Sequence, residues 1–170
     1  MYKLKNYIKD YPDFPKPGII FKDILPILKE PEAFRDLIND MSKWELFKDC
    51  DSLLAIDARG FIFGSAIAIK LSKPLVLARK KGKLPGKLIE DSYSLEYGNN
   101  ILCIQEDSLN KLNNFIIIDD LLATGGTVSC IEKLLTKANK KIIGLSVVVE
   151  LEDLKGKCNF EFPVDSQIKF

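Results

Sequence analysis

The sequence predicts an α/β fold: a central, mainly parallel sheet flanked by helices, built as a single domain spanning residues 1–170. Three observations point there. Apolar runs at 52–56, 74–78, 115–118 and 141–151 read as strands, and the 115–118 run, rich in β-branched residues, as one buried on both faces. Segments with apolar residues at helical spacing stand between them, at 61–71 and from Val128 to Ala138. The string FIIIDDLLATGGT, 115–127, ends a strand in two adjacent carboxylates, and a glycine-rich turn then opens a helix. In open α/β sheets that crevice is where ligands bind.

The length suits one domain able to bury about 70% of its unfolded surface. Lys and Arg number 25 against 24 Asp and Glu, so no global charge draws the chain to nucleic acid or to a membrane. No apolar run reaches membrane-spanning length, and the N-terminus lacks the apolar core of a secretion signal. Cys50, Cys103, Cys130 and Cys158 show neither C-x-x-C spacing nor a disulfide framework, so reduced thiols in a cytoplasmic protein are expected. Histidine is absent. That excludes Ser-His-Asp and Cys-His nucleophile systems and imidazole zinc sites, and leaves acid–base chemistry to carboxylates, lysines, tyrosines or the substrate.

Along the chain, Tyr2, Leu4, Tyr7 and Ile8 suggest a short amphipathic helix over residues 1 to about 11. In DFPKPGIIFKDI, 13–24, Pro15 and Pro17 impose extended backbone and Gly18 permits a sharp turn before the apolar tip Ile19-Ile20-Phe21. Phe34, Leu37, Ile38, Met41 and Trp44 predict a helix over 31–47. The 52–56 strand runs into DARGF, a small-residue helix and the 74–78 strand, a β-α-β unit expected to be right-handed and parallel. Residues 78–100 then carry Arg79, Lys80, Lys81, Lys83 and Lys87 with three glycines and a proline. This is not a Walker A loop: Gly82 and Gly86 stand one residue too close, and Leu88 occupies the Ser/Thr position. Residues 93–96 and 101–105 fit a hairpin across Gly98-Asn99-Asn100, and a long glycine-containing loop over a crevice reads as a lid. The tail, 152–170, has a mixed pattern that assigns no element.

The chemistry of the 115–127 string suits a sugar phosphate. Glycines allow close backbone approach, the first helical N–H groups are unpaired, and the helix dipole favours an anion. Paired carboxylates suit vicinal hydroxyls or a divalent cation. The string resembles the phosphoribosyl pyrophosphate (PRPP) motif of type I phosphoribosyltransferases. That resemblance implies that Asp119 and Asp120 hold the ribose hydroxyls and that Ala123, Thr124, Gly125, Gly126 and Thr127 wrap the 5-phosphate.

Four strings in order, DFPKPGIIFKDI, DARGFIFG, ARKKGKLPGK with SYSLEYG, and FIIIDDLLATGGT, resemble the adenine phosphoribosyltransferase family over nearly the whole chain. The fold this implies is type I phosphoribosyltransferase-like, with a flexible lid loop and a small N-terminal base-binding hood. The reaction implied converts adenine and PRPP to AMP and pyrophosphate in a homodimer, with Mg²⁺ carried mainly by PRPP. By the same resemblance, Ala58, Arg59 and Gly60 form the pyrophosphate loop, with Arg79, Lys80 and Lys83 as further basic candidates. Arg79 would serve either its own site or the neighbouring subunit's. Adenine would stack on Phe21 and be read by the main chain of Ile20 and Lys22, the latter replacing an arginine of some relatives. Glu96 is the general acid/base candidate, with Tyr97 hydrogen-bonding beside it. A phosphoribosyltransferase for hypoxanthine, guanine or xanthine is the alternative enzyme, and a PRPP-sensing regulator the alternative of another class. The base-reading segment disfavours the first, and intact Arg59 and Glu96 the second.

Overall fold

The computed structural model describes residues 2–95 and 98–170. A short helix α1 (Tyr2–Lys5) leads into a two-stranded hairpin, β1 (Lys9–Pro12) and β2 (Ile20–Asp23), then α2 (Leu25–Leu28) and α3 (Pro31–Met41). Next come β3 (Ser52–Ile56), α4 (Gly60–Leu71) and β4 (Leu75–Lys80), a parallel β-α-β unit. A second hairpin, β5 (Leu88–Leu95) and β6 (Gly98–Gln105), precedes β7 (Asn114–Leu122), α5 (Gly126–Lys137), β8 (Lys141–Glu150) and β9 (Val164–Lys169). The large sheet has the order β5-β6-β4-β3-β7-β8-β9. It is parallel from β4 through β9 and antiparallel only where the β5–β6 hairpin joins.

Strand β7 lies inside the sheet between β3 and β8, and its alternate residues bury on opposite faces. Ile116 and Ile118 pack with α3 and α4 residues such as Leu37 and Phe63, while Phe115 and Ile117 join Ile131 and Leu135 of α5. All four β7 side chains are fully buried. Each contributes about 1.5–3 kcal/mol. A one-residue slip would reverse every one of them, so this burial fixes the register that aims Asp119 and Asp120.

Several expectations need correcting. The N-terminal helix stops at Lys5, because residues 9–12 pair antiparallel with Ile20–Asp23 instead. Helix α3 ends at Met41, and Trp44 is extended; its ring packs so close to Gly144 that a Cβ there would lie 2.5 Å away. Tertiary packing thus overrides helical spacing at Trp44. Strand β7 continues through the carboxylates, since Leu121 and Leu122 still pair with Val149 and Glu150. In the second hairpin Leu95 pairs with Gly98, so Gly98, Asn99 and Asn100 are strand rather than the connection between strands. Only 81–87 of the expected lid segment is loop among the described residues. The tail supplies edge strand β9, parallel to β8. No helix among the described residues is long and apolar enough to cross a membrane.

Candidate active site

The carboxyl ends of β3 and β7 and the starts of α4 and α5 converge. Beyond β3, Asp57 leads through a cis peptide to Ala58, and Arg59 stands at the start of α4. Gly60 then lies directly on β7: a Cβ there would come within 2.8 Å of the Ile118 carbonyl and 2.9 Å of Asp119 Oδ1. Only glycine lets the arginine turn approach the carboxylate strand this closely. As a result Arg59 Nη2 stands 2.7 Å from Asp120 Oδ2, and the same guanidinium lies 5.4 Å from the centre of the Phe21 ring.

The two carboxylates are both buried but differently satisfied. Asp119 Oδ1 accepts the backbone N–H of Asp120 at 2.9 Å. Burial, and then the neighbouring Asp120 charge, push the Asp119 carboxyl well above the usual carboxylate range. Asp120 Oδ2 is ion-paired with Arg59 Nη2 at 2.7 Å, set off the line of a hydrogen bond, and accepts no other donor among the described residues. A buried carboxylate oxygen has more than one acceptor position, and a sugar hydroxyl is the kind of donor that would fill what the ion pair leaves open.

Ala123 to Gly125 form the turn between β7 and α5, and Gly126 and Thr127 open the helix. Gly125, buried, takes φ +86 as the residue before α5, a conformation glycine adopts without strain. No side chain caps the start of α5, so its first N–H groups remain open to an anion.

The basic residues divide. Arg79 lies within β4 rather than just past its end, with Nε 3.4 Å from Asp57 Oδ2 and its guanidinium 5.7 Å from the Phe61 ring centre. It also donates to the Lys83 carbonyl at 3.3 Å. Lys81 and Lys87 pair with Glu90 and Glu106 at 2.8 and 2.9 Å, out on the hairpin. Lys80 and Lys83 are exposed, with no carboxylate in ion-pair range among the described residues. Glu96 and Tyr97 lie outside the described residues.

On the hood, Phe21 is half-buried, with Phe14 edge-on at 5.2 Å. Ile20 is exposed. The Lys22 ammonium bonds Asp10 at 2.7 Å and lies 4.1 Å over the Phe170 ring, so its side chain is committed away from Phe21. β2 belongs to a two-stranded sheet, which leaves one edge of unpaired main-chain groups.

Two contributions were not anticipated. Asp57 holds Arg79, and the D of DARGF was the available clue. The tail touches the turn before α5: Asn159 Nδ2 donates to the Thr124 carbonyl at 2.9 Å. Nothing in the mixed pattern of 152–170 announces that contact.

Residues 27–161 match the model of the phosphoribosyl transferase domain. The adenine phosphoribosyltransferase of Prochlorococcus marinus (strain MIT 9215) is 58% identical over 168 residues, covering 99% of this chain and 98% of its own. Among solved structures, adenine phosphoribosyltransferase from Thermoanaerobacter pseudethanolicus superposes with a TM-score of 0.93 at 38% identity, covering 99% of each chain. The Saccharomyces cerevisiae enzyme, complexed with an imino-altritol bisphosphate and adenine, gives a TM-score of 0.88 at 35% identity, covering 98% of this chain and 97% of its own. The chain therefore belongs to the phosphoribosyltransferase family and, within it, to the adenine phosphoribosyltransferases.

Proposed function

We propose that the chain transfers a phosphoribosyl group from PRPP to adenine, forming AMP and pyrophosphate in purine salvage. One observation carries the reading. The Arg59 guanidinium lies 5.4 Å from the centre of the Phe21 ring and 2.7 Å from the Asp120 carboxylate, which supports reading base platform, ribose acceptors and pyrophosphate loop as one continuous site. Adenine lies against Phe21, read by main-chain groups on the open edge of β2. The Lys22 side chain is engaged with Asp10 and Phe170, which supports a main-chain role at that position. Asp119 and Asp120 take the ribose hydroxyls, and residues 123–127 take the 5-phosphate.

In the reaction the bond from C1 of the ribose to the pyrophosphate oxygen breaks, and a bond to N9 of adenine forms on the opposite face. The transition state carries oxocarbenium character, so positioning and charge stabilisation do most of the work. Arg59 meets the charge of the departing pyrophosphate, with Arg79, Lys80 and Lys83 as further basic groups. Glu96, with Tyr97 beside it, takes the proton that leaves a purine ring nitrogen. Mg²⁺ carried on PRPP would supply neutralisation of the leaving-group charge. The Asp119–Asp120 pair, buried together, would supply the carboxylate that stands near such an ion.

A homodimer belongs to the same proposal. Helix α4 is apolar on nearly every side, and Ile62 and Ile69, the latter 82% exposed, form a face that a second copy would cover. Cytoplasmic residence is supported by four free thiols.

The test is an assay of the purified chain with PRPP, Mg²⁺ and each of adenine, hypoxanthine, guanine and xanthine, following nucleotide and pyrophosphate. Adenine should be strongly preferred, because a site built around the 6-amino edge leaves its polar groups mismatched against a 6-oxo base. Comparable turnover with hypoxanthine would overturn the assignment. Glu96→Gln should lower kcat by about 10²- to 10⁴-fold, the range for general acid–base catalysis, with both KM values little changed. A loss confined to KM would move Glu96 from the chemistry to binding.

A further inference from the structure

We propose that Gly156, Asn159 and Phe160, in the tail, are positioning residues that hold the 123–127 segment in its phosphate-binding shape. The proposal rests on the phosphoribosyl-transfer reading above and adds to that site a segment remote from it in sequence.

Three contacts converge on the turn from the side of the tail. A Cβ on Gly156 would lie 2.1 Å from the Ala123 carbonyl oxygen and 3.0 Å from the Thr124 carbonyl carbon, so the two backbones are in direct contact. The Phe160 ring edge and the Gly156 carbonyl close on Gly125, where a Cβ would meet them at 2.8 and 3.1 Å. Asn159 donates its side-chain amide to the Thr124 carbonyl at 2.9 Å. The tail is itself anchored. The Leu151 N–H donates to the Leu122 carbonyl at 2.9 Å, and Phe160 stacks on Phe162 at 5.0 Å against the core shared with α5.

The Asn159 bond matters through the geometry of the peptide group. In a planar trans peptide the C=O and the N–H point in opposite directions. Holding the Thr124 carbonyl toward the tail therefore aims the Gly125 N–H away from it, toward the open start of α5 where the 5-phosphate sits. Gly125 at φ +86 is the residue about which this peptide would otherwise turn over. The tail thus fixes the orientation of donors that it never shares with the ligand.

The experiment titrates the full-length chain with ribose 5-phosphate and, separately, with pyrophosphate in Mg²⁺, and records the melting temperature of each variant. Asn159 is exposed, so Asn159→Ala removes the donor without disturbing the core. It should weaken ribose 5-phosphate about three- to tenfold, the value of one hydrogen bond, with pyrophosphate affinity and melting unchanged. Gly156→Ala, which drives a Cβ into the Ala123 carbonyl, should weaken ribose 5-phosphate further. If that variant melts early, Asn159→Ala alone decides. Equal loss of both ligands would reduce the tail to general structural support and overturn the proposal, as would unchanged ribose 5-phosphate binding in Asn159→Ala. A wild-type chain that binds no ribose 5-phosphate overturns this proposal together with the functional reading. A wild-type chain that binds it, with both variants unaffected, overturns the proposal alone.

Discussion

Strand β7 is flanked by carboxylates at both ends, and the two ends treat the same chemical group in opposite ways. At its amino end, the Asp51 carboxylate accepts the backbone N–H groups of Asn113 and Asn114 at 2.8 and 2.9 Å. It is exposed, and those two donors hold its pKa below the ordinary value. At the carboxyl end, Asp119 is buried and raised, and Asp120 has a buried oxygen with no hydrogen-bond donor among the described residues. The first arrangement is complete without a ligand. The second has charge to stabilise and acceptor capacity to spare, the electrostatic mark of a binding site rather than of a structural tie.

Arg59→Ala should break that contrast most severely. It leaves Asp120 buried beside Asp119 without the cation 2.7 Å away, and removes the charge proposed above to meet the leaving group. Loss of one such transition-state contact costs about 10²- to 10³-fold in kcat, measurable by initial rates of AMP formation. A near-normal rate would show that the pair is not part of the reacting site.

Asp120→Asn should come next, weakening PRPP by about ten- to a hundredfold, the value of a hydrogen bond to a charged acceptor. Calorimetric titration with PRPP reads this directly, and retained affinity would contradict the ribose assignment.

Asp119→Asn should also impair PRPP binding while making the free protein melt higher at neutral pH. A carboxyl whose folded pKa is raised contributes its stability below the unfolded value and loses it as pH rises. The amide escapes that loss, so its advantage should shrink as the pH is lowered toward the ordinary aspartate value of 3.8. A variant that melts lower at neutral pH would mean that Asp119 is charged and well satisfied.

Asp51→Asn should have the smallest effect on activity, namely none, and the opposite effect on melting. A depressed pKa contributes stability above the unfolded value and loses it as pH falls through the folded one. The variant should therefore melt below wild type at neutral pH and converge with it in acid. Reduced activity would mean that the two ends of β7 are not functionally distinct.

What the sequence made legible was local. The apolar run of β7, the helical stripe of α5 and the carboxylate–glycine string between them depend on residues close in the chain, so period and motif reveal them. What stayed hidden was decided by distant partners. Trp44 leaves its helical pattern because Gly144, a hundred positions on, offers a flat backbone for its ring. β9 lies at a sheet edge and carries VDSQIK, which lacks the continuous apolar run of a central strand. The link from Asn159 to Thr124 spans 35 residues and needs only one amide, so no periodicity announces it. Arg59 was legible as a candidate from DARGF, but its reach to both Phe21 and Asp120 is a fact of three dimensions.

The tail's place on the turn before α5 also hands the experimenter a label site. Cys158 is exposed and immediately precedes Asn159, whereas Cys50, Cys103 and Cys130 are buried. Burial pushes all three buried thiols up, Cys130 to about 11, which keeps them protonated and slow to react at neutral pH. A thiol-directed fluorophore should therefore attach at a single position, one residue from the amide that holds Thr124. Its emission would then follow occupation of the turn in real time in the otherwise native chain, with no cysteine needing to be added or removed.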